Sequence, residues 1–271
     1  VSLKPRPQRR GIPLRAVLPN AITALALCSG LTGVRFAIAQ DWERAVVMTM
    51  IAAALDGIDG QIARMIRGES KFGAELDSLS DAISFGVAPA LILYLWALMY
   101  VPKVGWIVAL LYAVFCALRL ARFNSQMDTE QPRKLAGYLT GIPAPAGAAL
   151  AMLPLYVWLW SGEELARSPW IVTPWVGFVG FLMVSSLATY SWKSLRLRRN
   201  VRFEALVVVA ILLAALVTAP WQTLTVLCAG YLATLPFSVR AYRRSRVGAG
   251  KASVPQSSPG GGGEPAEPVE G

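Results

Sequence analysis

The chain has 271 residues, 55% of them hydrophobic and only 15% charged, with a net charge of +10 and no histidine. Its apolar residues run in long unbroken stretches, which excludes an ordinary soluble globular protein and marks a polytopic membrane protein. Without histidine there is no Ser-His-Asp triad, no imidazole zinc site and no histidine base, so chemistry near neutral pH falls to carboxylates, metals, lysine or tyrosine.

Residues 1–14 are polar and basic, with Pro5, Pro7 and Pro13, and read as a cytoplasmic arm. From there to about residue 246 a single membrane domain is expected. A spanning helix needs about 20 mostly apolar residues. Eight segments meet or approach that length, at roughly 16–38, 44–66, 76–99, 104–122, 140–160, 170–190, 203–219 and 221–239. The predicted fold is therefore an all-α membrane bundle of about eight transmembrane helices. One alternative stays open at the end, where 203–239 could form one re-entrant unit broken at Pro220. Residues 247–271 are poor in hydrophobics and rich in Gly, Pro, Ser and Glu, a composition expected to be disordered.

The basic residues gather in alternate loops: Lys4 to Arg15 before the first span, Arg64 to Lys71 after the second, Arg119 to Lys134 after the fourth, Lys193 to Arg202 after the sixth and Arg240 to Lys251 after the eighth. The opposite loops hold only Arg44, Lys103 and Arg167. By the positive-inside rule both termini and the even-numbered loops are expected in the cytoplasm, as for a bacterial inner-membrane protein. The same residues would attract anionic lipid, so the positive charge calls for a bilayer and not for nucleic acid. Cys28, Cys116 and Cys228 each sit in an apolar run and are expected as free thiols. The first apolar run is long enough to span, and no cleavable signal peptide is expected.

Asp56, Asp59, Asp77 and Asp81 stand in or beside spanning segments. A carboxylate at the centre of a membrane helix costs roughly 2.5–3.5 kcal/mol on insertion scales, so four together need an offset. Asp56, Asp59, Gly60 and Ala63 share one helix face, and Asp77 and Asp81 lie one turn apart on the next helix. Gly68 and Gly73 punctuate the basic connection between them, which predicts an antiparallel hairpin with facing carboxylate pairs. Such an oxygen-rich site suits two hard divalent cations, Mg²⁺ or Mn²⁺, able to clamp a phosphoryl group. Small Gly60 and Ala63 leave room for a phosphate or nucleotide, and Arg64 offers it a charge. Taken singly these features are ordinary, as a solvated Asp-x-x-Asp, helix-packing residues and a cytoplasmic anchor; their joint spacing is specific.

That spacing resembles the signature D-x2-D-G-x2-A-R-x8-G-x3-D-x3-D of the CDP-alcohol phosphatidyltransferase family. All eight fixed positions match: Asp56, Asp59, Gly60, Ala63, Arg64, Gly73, Asp77 and Asp81. The resemblance implies a two-metal site on the four aspartates, with Asp81 also the general base. It implies CDP contacts from Asp56, Gly60, Ala63, Arg64 and Gly73, and the similar stretch LPNAIT adds Asn20 and Thr23. Three further stretches, SDAISFGVAPA, LRLARFN and GIPAPAG, look like those of bacterial phosphatidylserine synthases, so the implied substrates are CDP-diacylglycerol and serine. Arg119 and Arg122, one turn apart, are the candidate partners of the serine carboxylate. Another acceptor, such as glycerol phosphate or inositol phosphate, would keep the same chemistry. A cation transporter using intramembrane aspartates is a further reading, disfavoured by clustering of the carboxylates at one side. A purely structural scaffold leaves that cluster unexplained. Apolar surface on the spans allows a homodimer.

Overall fold

The computed structural model describes residues 14–66, 70–101, 103–127, 138–140, 142–185, 188–190 and 202–234. The basic arm up to residue 13, Gly68 and the 247–271 tail lie outside them.

Helix α1 (Leu14–Ile38) turns at residues 39–41 into α2 (Trp42–Met65), whose N-terminus is capped by Asp41 accepting from the Arg44 amide at 3.1 Å. The hairpin is close-packed because small residues line it: a Cβ on Gly33 would stand 3.1 Å from the Ala45 carbonyl oxygen. Helix α3 (Lys71–Trp96) begins at Ser70, whose hydroxyl accepts from the Gly73 amide at 3.0 Å. It runs as an α-helix to Asp81, as a π-helix over Ala82–Val87, and as an α-helix again from Ala88. Gly73 thus belongs to the first turn of α3 and not to the predicted connection. Its hydrogen leaves room for Asn20, whose Oδ1 would stand 2.8 Å from a Cβ there.

A 3₁₀ turn (Leu98–Tyr100) leads to α4 (Val104–Met127). Two helices, α5 (Ala144–Ala151) and α6 (Leu153–Ser161), follow with a 42° bend between them. Pro154 has no N–H for the carbonyl four residues back, Leu150, and Trp175 Nε1 donates to that oxygen instead at 2.9 Å. The chain leaves α6 through Gly162 at φ 71°, a left-handed conformation natural to glycine. It continues through the single turn α7 (Glu164–Arg167) and α8 (Pro169–Val184). A short antiparallel ladder pairs β1 (Tyr138–Thr140) with β2 (Ala188–Tyr190) in the register Tyr138 to Tyr190. Helices α9 (Arg202–Thr218) and α10 (220–234) close the described chain, broken where Pro220 interrupts the pattern.

The architecture is a membrane helix bundle, all-α apart from that three-residue ladder. Among the described residues, four helices are long and apolar enough to cross a bilayer (Val17–Ile38, Trp42–Met65, Lys71–Trp96 and Val104–Ser125), and the bent α5–α6 pair makes a fifth if it is one broken span. Pro169–Val184 and Leu206–Thr218 are apolar helices shorter than a straight crossing, so length and composition carry four or five of the eight expected spans. The core, centred on Trp96, Tyr112, Leu150 and Met183, lies between α3, α4, α5, α6 and α8. All three cysteines are free, as expected.

Candidate active site

Antiparallel order places the N-terminal parts of α1 and α3 at the same end as the C-terminal parts of α2 and α4. The four aspartates meet at that end. Carboxylate oxygens of Asp56, Asp59 and Asp77 lie within 4.8 Å of one another. Asp81 joins them through Asp56, with which its carboxyl is within hydrogen-bonding distance. Asp59 is only 3% exposed and accepts from Thr23 Oγ1 at 2.6 Å.

The predicted hairpin is held in a way the sequence did not suggest. The first half of α3 packs chiefly on α1, and α2 meets α3 mainly from the π-helical turn onward. Helix α1 is therefore the spacer that holds the carboxylate pairs across a cleft. Ser80 Oγ donates to the Thr23 carbonyl at 3.2 Å, and Ser84 Oγ to the Ala26 carbonyl at 3.5 Å. Gly30 lets this contact close, since a Cβ there would stand 2.9 Å from Ser84 Oγ.

The cleft opens into a cavity of about 390 Å³ lined by Pro19, Asn20, Thr23, Asp59, Gly60, Ala63, Arg64, Ser70, Gly73, Ala74 and Asp77. Six of the seven residues expected to contact CDP are among them; Asp56 stands outside that lining, beside Asp81. A Cβ on Gly60 would meet no other protein atom within 4 Å, so protein packing does not require its smallness, and the space it leaves faces the cavity. Pro19, Ser70 and Ala74 were not anticipated. Of these, Ser70 had a readable signal, a helix-capping residue three positions before Gly73.

The two candidate acceptor residues separate. Arg119 lies within electrostatic range of Asp81, and its buried Nε has no hydrogen-bond partner among the described residues. Arg122 Nη1 instead donates to the Val184 carbonyl at 3.1 Å, tying α4 to the end of α8. Asn124, in the LRLARFN stretch, donates from Nδ2 to Ser78 Oγ at 2.8 Å and fixes the end of α4 against α3.

The donor set fits hard divalent cations: carboxylates only, clustered beyond what their mutual repulsion would favour without a counter-charge. A cavity lined by two aspartates of that cluster, an arginine at its exposed edge and two glycines suits a nucleotide pyrophosphate. The family model for CDP-alcohol phosphatidyltransferase matches residues 16–190, and that for CDP-alcohol phosphatidyltransferase 2 matches residues 200–236. The chain belongs to the CDP-alcohol phosphatidyltransferase family. It is an enzyme of that family embedded in a membrane. It is 42% identical over 241 residues to the CDP-diacylglycerol–serine O-phosphatidyltransferase of Mycobacterium tuberculosis, covering 89% of this chain and 83% of the relative. The protein of the same name from Helicobacter pylori (strain 26695) is 33% identical over 221 residues, 80% of this chain and 88% of that one. The archaetidylserine synthase of Methanothermobacter thermautotrophicus is 32% identical over 166 residues, 55% of this chain and 70% of its own. The cavity shares Asp59 and Asp77 with the aspartate cluster.

Proposed function

We propose that the enzyme transfers the phosphatidyl group of CDP-diacylglycerol to the hydroxyl of L-serine, giving phosphatidylserine and CMP. The observation that carries this reading is the aspartate cluster opening on a cavity lined by the signature's small and basic residues. The names of the relatives support serine as acceptor.

The cytidine and pyrophosphate would lie in the cavity against Asn20, Gly60, Ala63 and Gly73, with Arg64 at its exposed edge for a phosphate oxygen. The acyl chains would remain in the bilayer beside the helices. Two divalent cations, Mg²⁺ or Mn²⁺, held by Asp56, Asp59, Asp77 and Asp81, would supply charge neutralisation to the pyrophosphate and the departing CMP. Asp81, outside the nucleotide cavity lining and within electrostatic range of Arg119, would take the proton of the serine hydroxyl. The freed oxygen bonds to the phosphorus carrying diacylglycerol, the bond from that phosphorus to the CMP oxygen breaks, and CMP leaves. Arg119, whose Nε has no partner among the described residues and which lies in electrostatic range of Asp81, suits the serine carboxylate better than Arg122, whose guanidinium already serves a backbone carbonyl. The distribution of basic residues supports an inner-membrane enzyme with this end of the bundle in the cytoplasm.

The test is a purified enzyme given CDP-diacylglycerol, divalent cation and a panel of alcohols, with the lipid product identified by mass spectrometry. Serine should give phosphatidylserine, and glycerol 3-phosphate should give at most a trace; the reverse preference would refute the assignment. In Arg119→Gln the KM for serine should rise at least tenfold while the KM for CDP-diacylglycerol stays within about twofold, as expected for loss of a charge-assisted contact to one substrate.

A further inference from the structure

The π-helical turn at Ala82–Val87 follows directly on Asp81 and covers most of the SDAISFGVAPA stretch. Pro89 lacks an N–H, so the carbonyl four residues before it, that of Phe85, cannot receive its ordinary helical partner. Tyr112, fully buried on α4, donates its hydroxyl to that carbonyl at 3.0 Å. The same turn is pressed against α4 at Gly86, where a Cβ would stand 3.1 Å from Cys116 Cβ and 3.2 Å from its Sγ.

A π-helical turn takes up one extra residue, about 100° of helical rotation, between the segment carrying Asp77 and Asp81 and the segment packed in the core. If the turn relaxed to regular helix while Ile92, Leu93 and Trp96 kept their places, both carboxylates would swing by about 8 Å, out of reach of any ion shared with α2. We propose that Tyr112 is a positioning residue, which by holding the Phe85 carbonyl maintains the π-helical turn and so sets Asp77 and Asp81 toward Asp56 and Asp59. The inference rests on the metal reading of the four aspartates given above.

The test is Mn²⁺ titration followed by electron paramagnetic resonance on the purified full chain, for wild type, Tyr112→Phe and Tyr156→Phe. Tyr156, equally buried on α6, controls for losing a core hydroxyl away from the site. In Tyr112→Phe the Mn²⁺ dissociation constant should rise about tenfold or more, as when an outer-shell partner of a metal ligand is removed. CMP release should fall with it and recover as Mn²⁺ is raised, while Tyr156→Phe binds Mn²⁺ like wild type. Should Tyr112→Phe not fold, Gly86→Ala perturbs the same turn and should show the same loss. Wild-type Mn²⁺ affinity in Tyr112→Phe, with only thermal stability lowered, would overturn the inference and leave the metal reading standing. An equal loss in Tyr156→Phe would overturn it too. Failure of the wild type to bind Mn²⁺ would overturn the metal reading and this inference together.

Discussion

Asp81 and Asp59 sit in one cluster yet have different neighbours, and the difference separates their roles. Asp59 accepts from Thr23 Oγ1 at 2.6 Å at the wall of the cavity, whereas Asp81 lies with Asp56 outside that lining, within electrostatic range of Arg119. A carboxylate hydrogen-bonded at the cavity wall is suited to hold an ion, and one outside the nucleotide cavity with an arginine in electrostatic range is suited to meet the acceptor. Replacing Asp81 by Asn keeps size and polarity but removes the base, so serine-dependent CMP release should fall by about 10²–10⁴-fold. The variant should still elute as folded protein; an unaltered rate would rule Asp81 out as the base. Thr23→Val removes the donor to Asp59 and should raise the metal concentration for half-maximal rate by about tenfold. Thr23→Ser keeps the hydroxyl and should stay near wild type, a contrast measured by titrating Mg²⁺ against initial rate.

At the level of the helices, α1 determines how far apart the carboxylate pairs stand. Its contact with α3 depends on Gly30, whose hydrogen faces Ser84 Oγ at a distance no side chain could share. Gly30→Ala should therefore cost about 1–3 kcal/mol, as overpacking of a tight core does, and lower the thermal midpoint in detergent. A midpoint equal to wild type would mean that the two helices stand further apart than described. The role of α1 was only partly legible in the sequence. Asn20 and Thr23 could be singled out through LPNAIT, but the packing of α3 on α1 depends on Gly30, Ser80 and Ser84 meeting across more than 50 residues, which no local pattern records. Gly73 stands in the first turn of α3, one of the cavity-lining residues, and not in the connection before it. Its value lies in the approach of Asn20. The π-helical turn was invisible for a similar cause, because its partner hydroxyl comes from another helix.

Across the whole molecule, the alternation of helix direction carries residues from four helices to one end of the bundle: Thr23 on α1, Asp56 and Asp59 on α2, Asp77 and Asp81 on α3, and Arg119 on α4. Long apolar runs and fixed aspartate spacing made the membrane bundle and its four carboxylates readable from composition and pattern. Helix number was less readable, since hydropathy reports apolar length but not where Met152 and Pro154 bend a span or where α8 ends. The account depends on those four carboxylates sharing divalent ions. Pulsed and continuous-wave electron paramagnetic resonance of the Mn²⁺-loaded enzyme in lipid nanodiscs, with CDP-diacylglycerol present, measures this directly. The account predicts a magnetically coupled Mn²⁺ pair about 4 Å apart that is lost in Asp59→Asn. Isolated, uncoupled Mn²⁺ in the wild type, or a coupled pair that survives loss of Asp59, would contradict it.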